Sequence, residues 1–151
     1  MLGVNPYPAC ERYKKTIMID AHTRDQLDYL TALLDVTQTD IYRRGVSIMH
    51  ALHAESMDGK EIRLITSAGE QTPLDFDYTD GFEDERKMTL KFNDETLGKV
   101  QDLAEALSIY PTYVFRRAVS TLRTIHAESI LGHKVILVDK VSGETETVRF
   151  F

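Results

Sequence analysis

The chain has 151 residues, enough for one ordinary domain or two small ones. With 42% hydrophobic and 28% charged residues and only 8 Gly and 4 Pro, it reads as globular, neither disordered nor collagen-like. Its net charge of −6 argues against a broadly basic nucleic-acid binder, but residues 75–85 hold six acids and no base, so the remainder is neutral.

The N-terminal run MLGVNPYPACE lacks a basic segment followed by an apolar stretch, so it is not read as a signal peptide. No apolar stretch approaches the roughly 18–20 residues needed to span a bilayer. The lone cysteine, Cys10, excludes an intramolecular disulfide framework and makes a reducing compartment the default. A soluble cytoplasmic protein without membrane association is therefore expected, with residues 1–13 as an N-terminal arm.

Thr16, Ile17, Met18 and Ile19 alternate polar and apolar, which predicts a half-exposed strand. Asp20 follows as an N-cap, and Leu27, Leu30 and Leu34 form the stripe of an amphipathic helix. A break at residues 36–39 contains Thr37, a cap for a second helix carrying Ile41, Gly45, Ile48, Met49 and Leu52 and ending near Gly59. Residues 61–66, a Ser-Ala-Gly-Glu turn and an extended segment to about Phe76 predict a β-hairpin. After the acidic stretch, the same order returns. Thr89, Leu90, Lys91 and Phe92 predict a strand, Asn93 a cap, and Val100, Leu103 and Leu107 a helix. A break at residues 109–112 places Pro111 in the first turn of a further helix, where proline is tolerated. That helix carries Val114, Ala118, Leu122 and Ile125 and ends near Gly132. Residues 134–141, Ser142-Gly143-Glu144 and residues 145–150 predict a second hairpin.

The recurrence is an internal repeat. His53-Ala54-Glu55-Ser56 returns as His126-Ala127-Glu128-Ser129, an offset of 73. Holding that offset without a gap, residues 16–65 and 89–138 share 15 identities, among them Arg43-Arg44 with Arg116-Arg117. The expected organisation is α+β: two β-α-α repeats, each followed by a C-terminal hairpin. Repeat 1 spans residues 14–76, an acidic linker residues 77–86, and repeat 2 residues 87–151.

The stretches KKTIMIDAHTRDQLDYLTALLDVTQTDIYRRGV and RKMTLKFNDETLGKVQDLAEALSIYPTYVFRRAV resemble the ribbon-helix-helix DNA-binding superfamily. The resemblance implies that two strands pair antiparallel into a ribbon that enters the major groove of double-stranded DNA. Ile17, Ile19, Leu90 and Phe92 would face the core. Lys14, Thr16, Met18, Lys87, Thr89 and Lys91 would face base edges. Thr37, Gln38 and Thr39, with Thr112, would present second-helix N-termini to phosphate, joined by Arg43 and Arg116. At least one arginine of each Arg-Arg pair is expected to be structural instead. Tyr110 and Pro111 depart from the pattern, because Pro111 removes an N–H and Tyr110 replaces a small hydroxyl residue. The duplication is similar to tandem members among conjugative-plasmid relaxosome accessory proteins, in which both halves of the usual dimer come from one chain; pairing between chains stays open.

His50 and His53 share a helix face, but Arg123 stands where the second copy would repeat His50, and no cysteine or paired carboxylate completes a set. No metal site is expected. Without a glycine-rich phosphate loop, a nucleophile elbow or a repeated acidic pair, neither a cofactor nor an enzymatic activity is expected. The function expected is sequence-specific DNA binding, as a transcriptional repressor or regulator or a plasmid or phage accessory factor. The alternative is a protein-interaction or antitoxin-like module that keeps the fold, with the acidic linker or the hairpins as the partner-binding part.

Overall fold

The computed structural model describes residues 13–74, 76 and 86–150. The chain runs β1 (Tyr13–Ile19), α1 (Ala21–Leu34), α2 (Gln38–Met57), β2 (Lys60–Ile65), β3 (Gln71–Pro73), β4 (Arg86–Phe92), α3 (Asp94–Leu107), α4 (Pro111–Ile130), β5 (Lys134–Asp139) and β6 (Thr145–Val148). This is an α+β architecture with two antiparallel sheets: a two-stranded ribbon β1-β4 and a four-stranded sheet β3-β2-β5-β6. The N-terminal arm, including Cys10, and nearly all of the acidic linker lie outside the described residues.

Local chemistry accounts for most element boundaries. The Asp20 carboxylate accepts the N–H of Thr23 (2.9 Å) at the start of α1, and the Asn93 side chain does the same for Thr96 (2.9 Å) at the start of α3. Thr37 opens α2 with a reciprocal capping box: its hydroxyl accepts the Asp40 N–H at 3.1 Å, and Asp40 accepts the Thr37 N–H at 3.4 Å. The chain leaves α2 and α4 through Gly59 and Gly132, both at positive φ (84° and 81°), where glycine carries no Cβ penalty. At the β5–β6 turn, the Asp139 carboxylate accepts the N–H groups of Ser142 (3.1 Å) and Val141 (2.8 Å), which hold its carboxyl below the usual carboxylate range.

All six strand boundaries differ somewhat from the sequence expectation, and three of the differences have a visible cause. β1 and β4 each begin three residues before the alternating segment, so Arg86 belongs to a strand and not to the linker. The extra length comes from mutual pairing, which runs unbroken from Tyr13 opposite Phe92 to Ile19 opposite Arg86. β5 ends at Asp139, because that residue already forms the turn.

The two halves do not make separate cores. β1 pairs with β4, β2 with β5, and α2 packs on α4. One apolar cluster draws Ile17, Leu27, Leu30, Ile41 and Val46 from the first half and Leu90, Leu103, Val114, Val119 and Leu122 from the second. Leu64, Val135 and Leu137 carry that cluster onto one face of the four-stranded sheet, so both hairpins help close the core. Residues that face each other at the centre of this arrangement are 73 apart: Thr16 opposite Thr89, Gly45 against Ala118, and Arg63 opposite Ile136. Gly45 is required there, since a Cβ on it would lie 2.3 Å from the Ala118 carbonyl oxygen.

Candidate nucleic-acid interface

Strand pairing assembles one surface from residues distant in sequence. In the β1-β4 register, Lys14 stands opposite Lys91, Thr16 opposite Thr89, and Met18 opposite Lys87. Because side chains alternate along a strand, these six share the face turned away from the core. Five are exposed and Met18 is half-buried, whereas Ile17, Ile19, Leu90 and Phe92 on the other face are buried. The two central hydroxyls approach to 3.4 Å. No ion pair to Lys14, Lys87 or Lys91 occurs among the described residues.

Below the ribbon, aromatic packing stiffens its support. Tyr13 stacks on Phe92 (centroids 5.9 Å apart), Phe92 packs on Phe115 (5.6 Å), and Tyr42 meets Phe115 edge-on (5.6 Å). The Tyr42 hydroxyl is buried and donates to the Met88 sulfur at 3.4 Å. Burial pushes its pKa well above the ordinary tyrosine value, partly offset by the Arg116 charge.

The second helix of each half starts beside the ribbon. Thr39, Tyr42 and Arg43 line a small crevice with Leu90, Lys91 and Phe92, so α2 begins at the Lys14–Lys91 end. Thr37 spends its hydroxyl on the capping box, Gln38 is exposed and Thr39 half-buried. The third helical residue, Asp40, pairs with Arg43. The start of α4 differs. Tyr110 makes no side-chain cap, Pro111 occupies the first position, no acid lies in the first turn, and Thr112 is half-buried.

Arg116 sits elsewhere than the resemblance implies. It is 2% exposed, and its Nε and Nη2 donate to the Met18 carbonyl at 2.9 and 2.7 Å. That commitment removes it from the phosphate-facing set and makes it the anchor of the ribbon at the Met18–Lys87 end. Its guanidinium also lies 5.2 Å from the Tyr113 ring centroid. Arg43, its counterpart, keeps about a third of its side chain exposed (34%) beside Asp40. Sequence reasoning missed the residues at −3 that separate the two arginines, Asp40 and Tyr113.

Two of the five histidines pair with carboxylates: His50 with Asp102 across helices (3.1 Å) and His133 with Glu128 (2.7 Å). No group of three or more His, Cys, Asp or Glu side chains able to hold a metal occurs among the described residues. No described helix is long and apolar enough to cross a membrane. No protein-family model, curated protein or solved structure matches the chain.

Proposed function

We propose that this chain is a tandem ribbon-helix-helix protein that binds double-stranded DNA sequence-specifically, acting as a repressor or regulator or as an accessory factor at a plasmid or phage site. The observation that carries this reading is the outward face of the ribbon. Lys14, Thr16, Met18, Lys87, Thr89 and Lys91 stand in direct cross-strand register, on a two-stranded element of the width the major groove admits. Lysine donates to guanine O6 and N7, the threonine hydroxyl donates to acceptor edges or accepts from amino edges, and methyl groups meet the thymine methyl. Thr37, Gln38, Thr39 and Thr112, with Arg43, would meet the flanking phosphates. In this reading the boundaries of β1, α1 and α2, which recur 73 residues later in β4, α3 and α4, reflect duplication, and the chain is its own pseudo-dimer.

The test is retention of fragmented genomic DNA on purified protein at moderate salt, followed by sequencing. A recurring motif is expected, lost when Lys87→Ala and Lys91→Ala are combined. Both side chains are exposed, so the double variant should keep its fold, checked by circular dichroism. Retention without a motif would reduce the function to phosphate contact. One observation favours the second reading, a protein-interaction module: the Asp40 carboxylate already occupies the N-terminus of α2, where a phosphate would otherwise sit. Failure of folded wild type to retain any DNA, with the double variant no different, would select it.

A further inference from the structure

The two ends of the ribbon differ chemically. A ribbon built from two identical strands must present the same groups at both ends, and its two-fold symmetry is mirrored in a palindromic site. Here β1 and β4 belong to one chain and have different sequences. At one end Lys14 faces Lys91, two like charges directly opposed, an arrangement that is unfavourable until an acceptor lies between them. At the other end the position 73 residues before Lys91 is Met18, so a thioether faces Lys87. The supports differ as well. Arg116 fixes the backbone under Met18 through two hydrogen bonds, whereas Arg43 is engaged by Asp40. At the lysine end α2 opens with a capping box and an acid; at the methionine end α4 opens with Tyr110 and Pro111 and no acid in its first turn.

Resting on the DNA-binding reading above, we propose that the ribbon reads a non-palindromic site in one fixed orientation. The half under Lys14 and Lys91 is read by two ammonium groups and selects guanine. The mirrored half is read by one ammonium and one thioether, and places an A·T pair, with its thymine methyl, under Met18. Thr16 and Thr89 lie over the centre and contribute equally to both halves. Met18 is therefore the residue that breaks the symmetry of recognition.

Selection from a randomised duplex pool by wild-type protein and by Met18→Lys tests this. Wild type should enrich a motif with guanine in one half only. Replacing that guanine should weaken binding at least about fivefold, while replacing the mirrored base pair with G·C should give no gain. Met18→Lys restores lysine at all four outer positions and should enrich a motif with guanine in both halves. Met18 is half-exposed on the outer face, so the variant should fold, and a matching thermal melt would establish that it does. A palindromic wild-type motif, or a Met18→Lys motif unchanged from wild type, would overturn the asymmetry while leaving DNA binding intact. No enrichment from folded wild-type protein would overturn the DNA-binding reading itself, and this inference with it.

Discussion

Arg43 and Arg116 stand 73 residues apart, each in the second turn of its helix, yet Arg116 is buried and Arg43 forms a half-buried ion pair. The difference is set one turn earlier. Asp40, at −3, catches the Arg43 guanidinium within its own helix. Tyr113, at −3 in α4, offers a ring and no charge, and Arg116 reaches back to the Met18 carbonyl. The planar fork of arginine suits a carbonyl approached by two N–H groups, which a lysine would not reproduce. Arg116→Met keeps most of the volume but removes both side-chain donors from the part-buried Met18 carbonyl. It should cost about 1.5–3 kcal/mol of stability in urea unfolding, whereas Arg43→Met should cost under about 1 kcal/mol. Equal losses would refute the assignment. The Arg-Arg pairs were legible in the sequence as a repeated feature. Which arginine turns inward was not, because that choice depends on the three-dimensional closeness of α4 and β1.

Among the described helices, three of four N-termini carry a side-chain cap, and α4 is the exception. Asp20, Thr37 and Asn93 could be read as caps from residue type and position alone, since capping is a contact over three residues. Tyr110 is 76% exposed and makes no such bond. Tyr110→Ser should therefore raise the melting temperature, by a stabilisation of about 0.5–2 kcal/mol; a fall would mean that the Tyr110–Tyr113 ring contact, 6.4 Å between centroids, outweighs a cap. Strands were less legible than helices. The alternation of Ile17 and Ile19 gave the face, but Tyr13 joins the strand only because Phe92 lies opposite to receive it. Likewise the turns at Gly69 and Gly143 signalled two hairpins, while the pairing of β2 with β5 that fuses them leaves no local mark.

At the scale of the whole molecule, the central contacts join residues 73 positions apart, and the core belongs to neither half alone. The repeat itself announced two similar units; it was silent on their interpenetration, because identical hydrophobic stripes would equally suit two separate cores. Cutting the backbone at a protease site introduced within residues 77–85 tests the shared core. The two fragments should co-elute as one species in native buffer and part only in denaturant. Separation without denaturant would mean that each half is self-sufficient. The face proposed to read DNA depends on the same interleaving, since each half contributes one strand of the ribbon.

Gly45 makes its contact with Ala118 only after the second half of the chain exists. While the protein is being synthesised, Leu27, Leu30, Ile41 and Val46 leave the ribosome before the second-half members of their cluster, Leu90, Leu103, Val114, Val119 and Leu122, exist, and Gly45 waits for a residue 73 positions later. At about 5–20 residues per second that interval is roughly 4–15 s, far longer than the microseconds a helix needs to form. The time taken to translate the second half thus sets how long the first half lacks the surface it is buried against in the finished chain.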